Sequence, residues 1–325
     1  MLRFILRRLL ISIPLLLVAS VLVFTVMHLT TDPTAGLRVN PRISGADMAR
    51  YRHDLGLDRS GAAQYFAWLG NFVRGNWGKS LFTNIPVSGQ IREALVNSMV
   101  LGVTGFTLAL LIGVTVGVIA AIRQYSVFDY LATSGAFVAL SIPVFWFALI
   151  LQLLFGLYLV RWLHLDQPVF FTAGMVQPGS LGFDLVDRAR HLVLPAIVLA
   201  VQLIAIYSRY MRASMLEVLN SDYLRTARAK GVRARRVIVR HGMRNALIPL
   251  TTQAAIDFGG LAGGLIATEA IFQWPGMGYL FVRVMNDGDY AIALPWVMLT
   301  MAFVIVFNLV ADVLYAVLDP RIRYA

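Results

Sequence analysis

A chain of 325 residues that is 58% hydrophobic and only 14% charged, with a mean hydropathy of +0.72, falls outside the range of soluble domains, whose charged share is about a quarter. It contains no cysteine, which excludes disulfides, thiolate metal sites and cysteine nucleophiles. The net charge of +11 could suggest nucleic acid, but the basic residues are distributed as in a membrane topology rather than a DNA footprint.

The first predicted span, about Leu9 to Met27, follows Arg3, Arg7 and Arg8 and is long enough to cross a hydrocarbon core of about 30 Å. It is read as an uncleaved helix with its N-terminus inside. A cleaved signal peptide is the alternative, disfavoured because the run is long and lacks a small-x-small site near its end. Residues 31–96 are too polar to span and are expected to form an extracytoplasmic helical subdomain, with one helix from Ser44 to Leu55 and a second from Gly61 to Arg74. The second helix puts Tyr65, Leu69 and Phe72 on one face, with Phe66, Trp68 and Val73 nearby. That stripe is read as the packing face against the membrane bundle.

Residues 97–325 are expected to form the core domain, with five further spans. Span two runs from about Ser98 to Ile122, where Gly113 and Gly117 allow a close helix approach. A short turn, Arg123 to Asp129, leads to span three, about Tyr130 to Val160. There Pro143 implies either a kink, the preferred reading, or a break lining a path. An outer loop, Arg161 to His191, precedes span four, about Leu192 to Tyr207. Span five, about Leu247 to Ala270, holds Asp257 and Glu269 around Gly259, Gly260, Gly263 and Gly264. Carboxylates at that depth are expected to face the path or a partner, or else to be hydrogen-bonded structural groups. Span six, about Ala291 to Leu318, contains Asn308 and Asp312.

Between spans four and five lies the one long basic loop, residues 208–246. From Arg209 to Arg244 it carries ten basic residues against Glu217 and Asp222. Within it, Asp222, Tyr223, Leu224, Arg225, Thr226, Ala227, Arg228, Ala229 and Lys230 form a predicted helix, capped by Ser221 or Asp222 and stopped by Gly231. A solvated face resting on anionic lipid headgroups is the plain reading of such a loop. With both termini inside, the inner segments hold sixteen basic residues over about 62 positions, against twelve over about 118 outside. That bias supports six spans with the Arg-rich loop in the cytoplasm.

Thr226-Ala-Arg-Ala-Lys-Gly231, followed after nine residues by His241-Gly-Met-Arg-Asn-Ala-Leu-Ile-Pro249, resembles the EAA loop of ABC-importer permeases. More narrowly it resembles the first permease subunit (DppB/OppB type) of the dipeptide, oligopeptide and nickel branch. The general Glu-Ala-Ala positions hold Arg225-Thr226-Ala227 here, the form typical of that branch. Further stretches similar to the family are Arg3-x3-Arg7-Arg8, Leu55-Gly-Leu-Asp-Arg59, Gly75-Asn-Trp-Gly-Lys-Ser80, Ser141-Ile-Pro-Val-Phe-Trp146, Glu269-Ala-Ile-Phe-Gln-Trp-Pro-Gly-Met-Gly278 and Leu318-Asp-Pro-Arg321.

The resemblance implies an all-α polytopic membrane protein of the type I importer permease fold, multi-pass in a bacterial inner membrane. It implies that Asp222 to Gly231 is the coupling helix that docks in a groove of a cytoplasmic ATPase. The expected partners are a second permease subunit (DppC/OppC-like), two ATPase subunits (DppD/DppF-like) that hold the ATP and magnesium, an external peptide-binding protein, and membrane lipid. The implied cargo is a dipeptide or oligopeptide, with nickel or glutathione as alternatives in the same family. An ion-coupled secondary transporter is the rival from another class, since Asp257, Glu269 and Asp312 are intramembrane charges.

Nothing in the sequence assembles a catalytic or metal site. His28, His53, His164, His191 and His241 have no ligand spacing. Asp184 with Asp187, and Asp287 with Asp289, sit in polar loops where aspartate favours turns. Gly78-Lys-Ser80 imitates the tail of a phosphate loop, but Val73 stands where the cradle needs glycine, so the chain is not expected to bind ATP.

Overall fold

A computed structural model of the chain describes residues 2–30, 44–54, 56–179, 182–261 and 265–318. Residues 31–43 of the expected extracytoplasmic subdomain, Gly263 and Gly264 of the span-five glycine run, and residues 319–325 lie outside them. The elements are α1 (Leu2–Thr30), α2 (Gly45–Asp54), α3 (Gly61–Val73), α4 (Val87–Ile122), α5 (Val127–Ser141), α6 (Val144–Trp162), α7 (Leu185–Leu219), α8 (Asp222–Ala229), α9 (Met243–Gly260), α10 (Ile266–Ile271), α11 (Met277–Asp287) and α12 (Tyr290–Leu318). Among the described residues, five helices are long and apolar enough to cross a membrane, at Leu6–Thr30, Val87–Ile122, Val144–Trp162, Leu185–Leu219 and Ala291–Val313.

The bundle is centred on α4 and α7, and glycine sets how close they come. A Cβ added at Gly105 would lie 2.6 Å from Leu199 Cδ2, one at Gly113 would lie 2.9 Å from Tyr207 Cβ, and one at Gly117 would lie 2.6 Å from the Ser208 carbonyl oxygen. Contacts that advance together along both chains mean that the two helices run in the same direction. Phe106, Tyr207, Met211, Met215, Ala246 and Leu250 fill the core that α9 completes. A second core joins the start of α4 to α11 and α12 through Val87, Ile91, Met277, Leu280, Ile292 and Trp296.

Two expected spans are interrupted. Span three is the pair α5 and α6, because Ile142 (ψ 122°) and Pro143 (ψ 136°) are both extended. Proline removes an N–H and disfavours helix in the residue before it, so the chain breaks here where a kink was the preferred expectation. Span five is α9 followed by α10. The residue before α10, Leu265, is non-helical at φ −89°, ψ 65°.

The aromatic stripe of α3 meets α1. The Tyr65 hydroxyl is 2.8 Å from Ser20 Oγ, and the Tyr65 ring lies edge-on to Phe24 with centroids 5.4 Å apart. The stripe continues through Trp68, Phe72 and Trp77. Ser80 donates to Asp289 at 2.6 Å, tying the following loop to the start of α12. Asp184 caps α7, accepting from the amides of Val186 and Asp187. Asp184 is thus a helix cap and Asp289 a loop anchor, whereas Asp187 lies in the first turn of α7 and accepts from the Gln177 amide at 2.9 Å, and Asp287 is the last residue of α11.

Candidate functional site

The basic loop folds as its sequence dictates. Ser221 precedes α8 in an extended conformation, though its hydroxyl donates back to the Val218 carbonyl instead of capping the new helix. At the other end Gly231, at φ +75°, sends its N–H to Arg228, and the Val232 N–H reaches Ala227, which is the paired 5→2 and 6→1 pattern of a glycine stop. One apolar residue seats the helix: Leu224 is fully buried, beside Met215 and Gly242. Tyr223 accepts from Asn245 Nδ2 at 2.8 Å, a second link to the chain beyond the loop. Asp222, Arg225, Thr226, Arg228, Ala229, Lys230 and Gly231 are exposed, so most of α8 presents its outer face to the surroundings. After the stop the chain passes through a short helical turn, Ala234–Arg236, and a π-turn, Val237–Gly242, whose glycine lies against Leu224.

Glu269 is fully buried, and the groups around it define its task. Its carboxylate accepts from Ser98 Oγ at 2.6 Å, from the Gly278 amide at 2.6 Å and from the Tyr279 amide at 3.3 Å. Ser98 Oγ in turn accepts from the Met277 amide at 2.7 Å. Three N–H groups that open α11 are therefore satisfied by one serine and one carboxylate, where the helix dipole also favours negative charge. Two glycines make the space. A Cβ at Gly276 would fall 2.5 Å from the carboxylate, and one at Gly278 would fall 2.5 Å from Ile266 Cα. Trp274 Nε1 donates to the Asn97 carbonyl and Asn97 Nδ2 to the Pro275 carbonyl, each at 2.9 Å, closing the same joint between α4 and the chain before α11.

Asp257 is half-buried and accepts from Tyr207 (3.0 Å) and Gln253 (2.8 Å). Asp312 pairs with Arg8 at 2.9 Å, joining the first and last helices. Pro143 is the extended residue that opens α6. The structure does not gather these residues and α8 into one place. Instead α8 lies after the end of α7, Asp257 and Pro143 lie along the bundle, and Glu269 lies at the joint with α11.

One charged contact escaped the sequence reading. Arg212 holds Asp129 with both arms of its guanidinium, at 2.6 and 2.7 Å, and the Tyr125 amide donates to the same carboxylate. It pins the α4–α5 turn to α7, ten residues before α8 begins. The signal available was an aspartate in the short turn after Arg123, which names no partner 83 residues away.

Comparisons with known proteins agree on one family. The description "Binding-protein-dependent transport system inner membrane component" matches residues 113–324, and its N-terminal companion matches residues 1–102. The chain is 41% identical over 322 residues to the oligopeptide transport system permease protein AppB of Bacillus subtilis, covering 99% of each chain. It is 39% identical to the oligopeptide transport system permease protein OppB of Mycobacterium bovis, again over 99% of each. It is 36% identical to the dipeptide transport system permease protein DppB of Escherichia coli K12, over 100% of this chain and 99% of that one.

Proposed function

The chain belongs to the family of binding-protein-dependent transport system inner membrane components, and from that premise we propose that it is one membrane half of an ATP-driven peptide importer. The observation that carries the reading is the end-to-end likeness to relatives named as oligopeptide and dipeptide permeases, at 36–41% identity. In this reading the fold is that of a type I importer permease, with six membrane crossings and both termini in the cytoplasm. A related permease completes the path, two cytoplasmic ATPases hold and hydrolyse ATP, and an external protein delivers the peptide.

The exposed helix α8, from Asp222 to its stop at Gly231, is the docking surface for an ATPase. Its support is geometric: a short helix, closed at its C-terminal end and seated by Leu224, offers a stiff convex knob. Glu269 acts as a positioning residue for α11, and Pro143 and Asp257 line or border the path. An ion-coupled carrier fits less well, because Asp257, Glu269 and Asp312 each have a partner within the chain.

The test is reconstitution of the chain with its permease, ATPase and binding-protein partners. Peptide uptake must follow ATP hydrolysis and stop when the ATPases are omitted. Uptake driven by a proton gradient in vesicles containing this chain alone would overturn the reading.

A further inference from the structure

Two helix breaks meet at the middle of the bundle. Gln202 lies on α7 within its expected membrane crossing, about 15 Å along the helix from Leu192 and about 8 Å from Tyr207. Its Nε2 donates to the Ile142 carbonyl at 3.2 Å, a carbonyl left without a helical partner by the break at Pro143. The second break, before α10, supplies Leu265, Ile266, Ala267 and Thr268 to a cavity of about 260 Å³ that Gln202 and Val144 also line. Non-helical backbone at membrane depth persists only where it is buried in protein or lines a cavity, and discontinuous helices are a common way to build a ligand site at the midplane.

The chemistry of the walls selects the occupant. Val144, Val198, Leu199, Leu203 and Ile206 are apolar, and the polar side chains lining the cavity, Gln202 and Thr268, are neutral. A charged terminus or a metal ion would meet no counter-charge there. A neutral backbone amide with a small apolar side chain would meet both of its needs. Because the Ile142 oxygen can only accept, the nitrogen of Gln202 faces it and the amide oxygen is left for the cavity.

We propose that Gln202, set between the breaks at Pro143 and Leu265, is an intramembrane subsite that reads the peptide backbone, its Oε1 accepting a substrate N–H. The proposal rests on the peptide-importer reading. It gives the path one polar grip on a feature every peptide shares while the apolar walls tolerate varied side chains.

The test uses the full reconstituted complex with trialanine and its two analogues in which one backbone amide is an ester, which lacks the N–H. The wild type should take up trialanine with a lower KM than at least one ester. Gln202→Leu should raise the trialanine KM by roughly threefold to tenfold, the worth of one neutral hydrogen bond, and erase the amide-over-ester preference. Because each comparison uses the same binding protein, the change in preference isolates the membrane step. Gln202→Met, unbranched, is the companion variant if leucine prevents assembly. An unchanged amide-to-ester ratio, with or without a general loss of uptake, would overturn the subsite, as would failure of both variants to assemble, which makes Gln202 structural. Failure of the wild-type complex to take up any member of a mixed peptide pool would instead overturn the importer reading.

Discussion

Ser98 and Glu269, 171 residues apart in the chain, share a 2.6 Å hydrogen bond that closes the N-terminus of α11. Removing the acceptor leaves the Gly278 and Tyr279 amides buried without a partner, at about 1–3 kcal/mol each. Glu269→Ala should therefore lower the melting temperature of the solubilised complex sharply, whereas Glu269→Gln, which keeps an acceptor oxygen, should lower it less. Gly276→Ala should resemble Glu269→Ala, since the new Cβ would occupy the carboxylate's place. Equal, small shifts for all three variants in a thermal unfolding series would refute this account of the joint.

The stop at Gly231 offers a cleaner variant than most glycines, because a Cβ there meets nothing within 4 Å and only the backbone angle resists it. Gly231→Val should cost roughly 1–2 kcal/mol of local stability, and Gly231→Asn less, since asparagine tolerates the left-handed region. If α8 is the docking knob, ATPase co-purification and uptake should fall with Gly231→Val and with Ala227→Trp, and recover with Gly231→Asn. Replacing Arg235 and Arg236 with glutamine serves as the control. Loss confined to that control would favour a lipid-surface role for the loop.

Asp129 is almost fully buried beneath an Arg212 that is 27% exposed, so the pair lies between a surface and an interior salt bridge. Breaking it from one side should cost about 3 kcal/mol, the lower end of the range for buried pairs. Asp129→Asn and Arg212→Gln should each destabilise the complex, and the double variant should be less damaged than the two losses added together. Strict additivity in the unfolding free energies would show that the contact contributes nothing of its own.

The Arg8–Asp312 pair makes the opposite expectation, since Arg8 is half exposed and Asp312 a third. Such pairs contribute about 0–1 kcal/mol. Asp312→Asn should therefore leave both stability and uptake near normal. A collapse of uptake with assembly intact would reopen an ion-coupled role for this carboxylate.

Much of this was legible in the sequence because it depends on local rules. Hydropathy placed the apolar middles of the long helices, although α4 begins at Val87 and α7 runs from Leu185 to Leu219, beyond the spans expected; the glycine after Lys230 placed the end of α8, and Gly113 and Gly117 announced a close packing seam. What was hidden depends on chain segments meeting across long separations. Glu269 read as a costly intramembrane charge because its acceptors' partners, the first amides of α11, become visible only when the chain turns at Pro275 and Gly276. The break at Pro143 was underestimated for a similar reason: a proline alone suits a kink, and it is Gln202 on another helix that satisfies the carbonyl a break exposes. Asp129 gave no hint of Arg212, because pairing over such a distance is set by the packing of α5 against α7.

The packing of α4 on α7 has a mechanical consequence. Where Gly105, Gly113 and Gly117 let α4 lie on α7 almost backbone to backbone, little side chain remains to deform, and the two rods are laminated into one stiff plank. The laminated stretch of α7, from Leu199 to Met211, lies wholly on the α8 side of Pro195, the residue whose missing N–H weakens the helix. A displacement delivered at Leu219 therefore travels along the plank without being absorbed, and the flexure it demands falls at Pro195, ten residues from the start of α7.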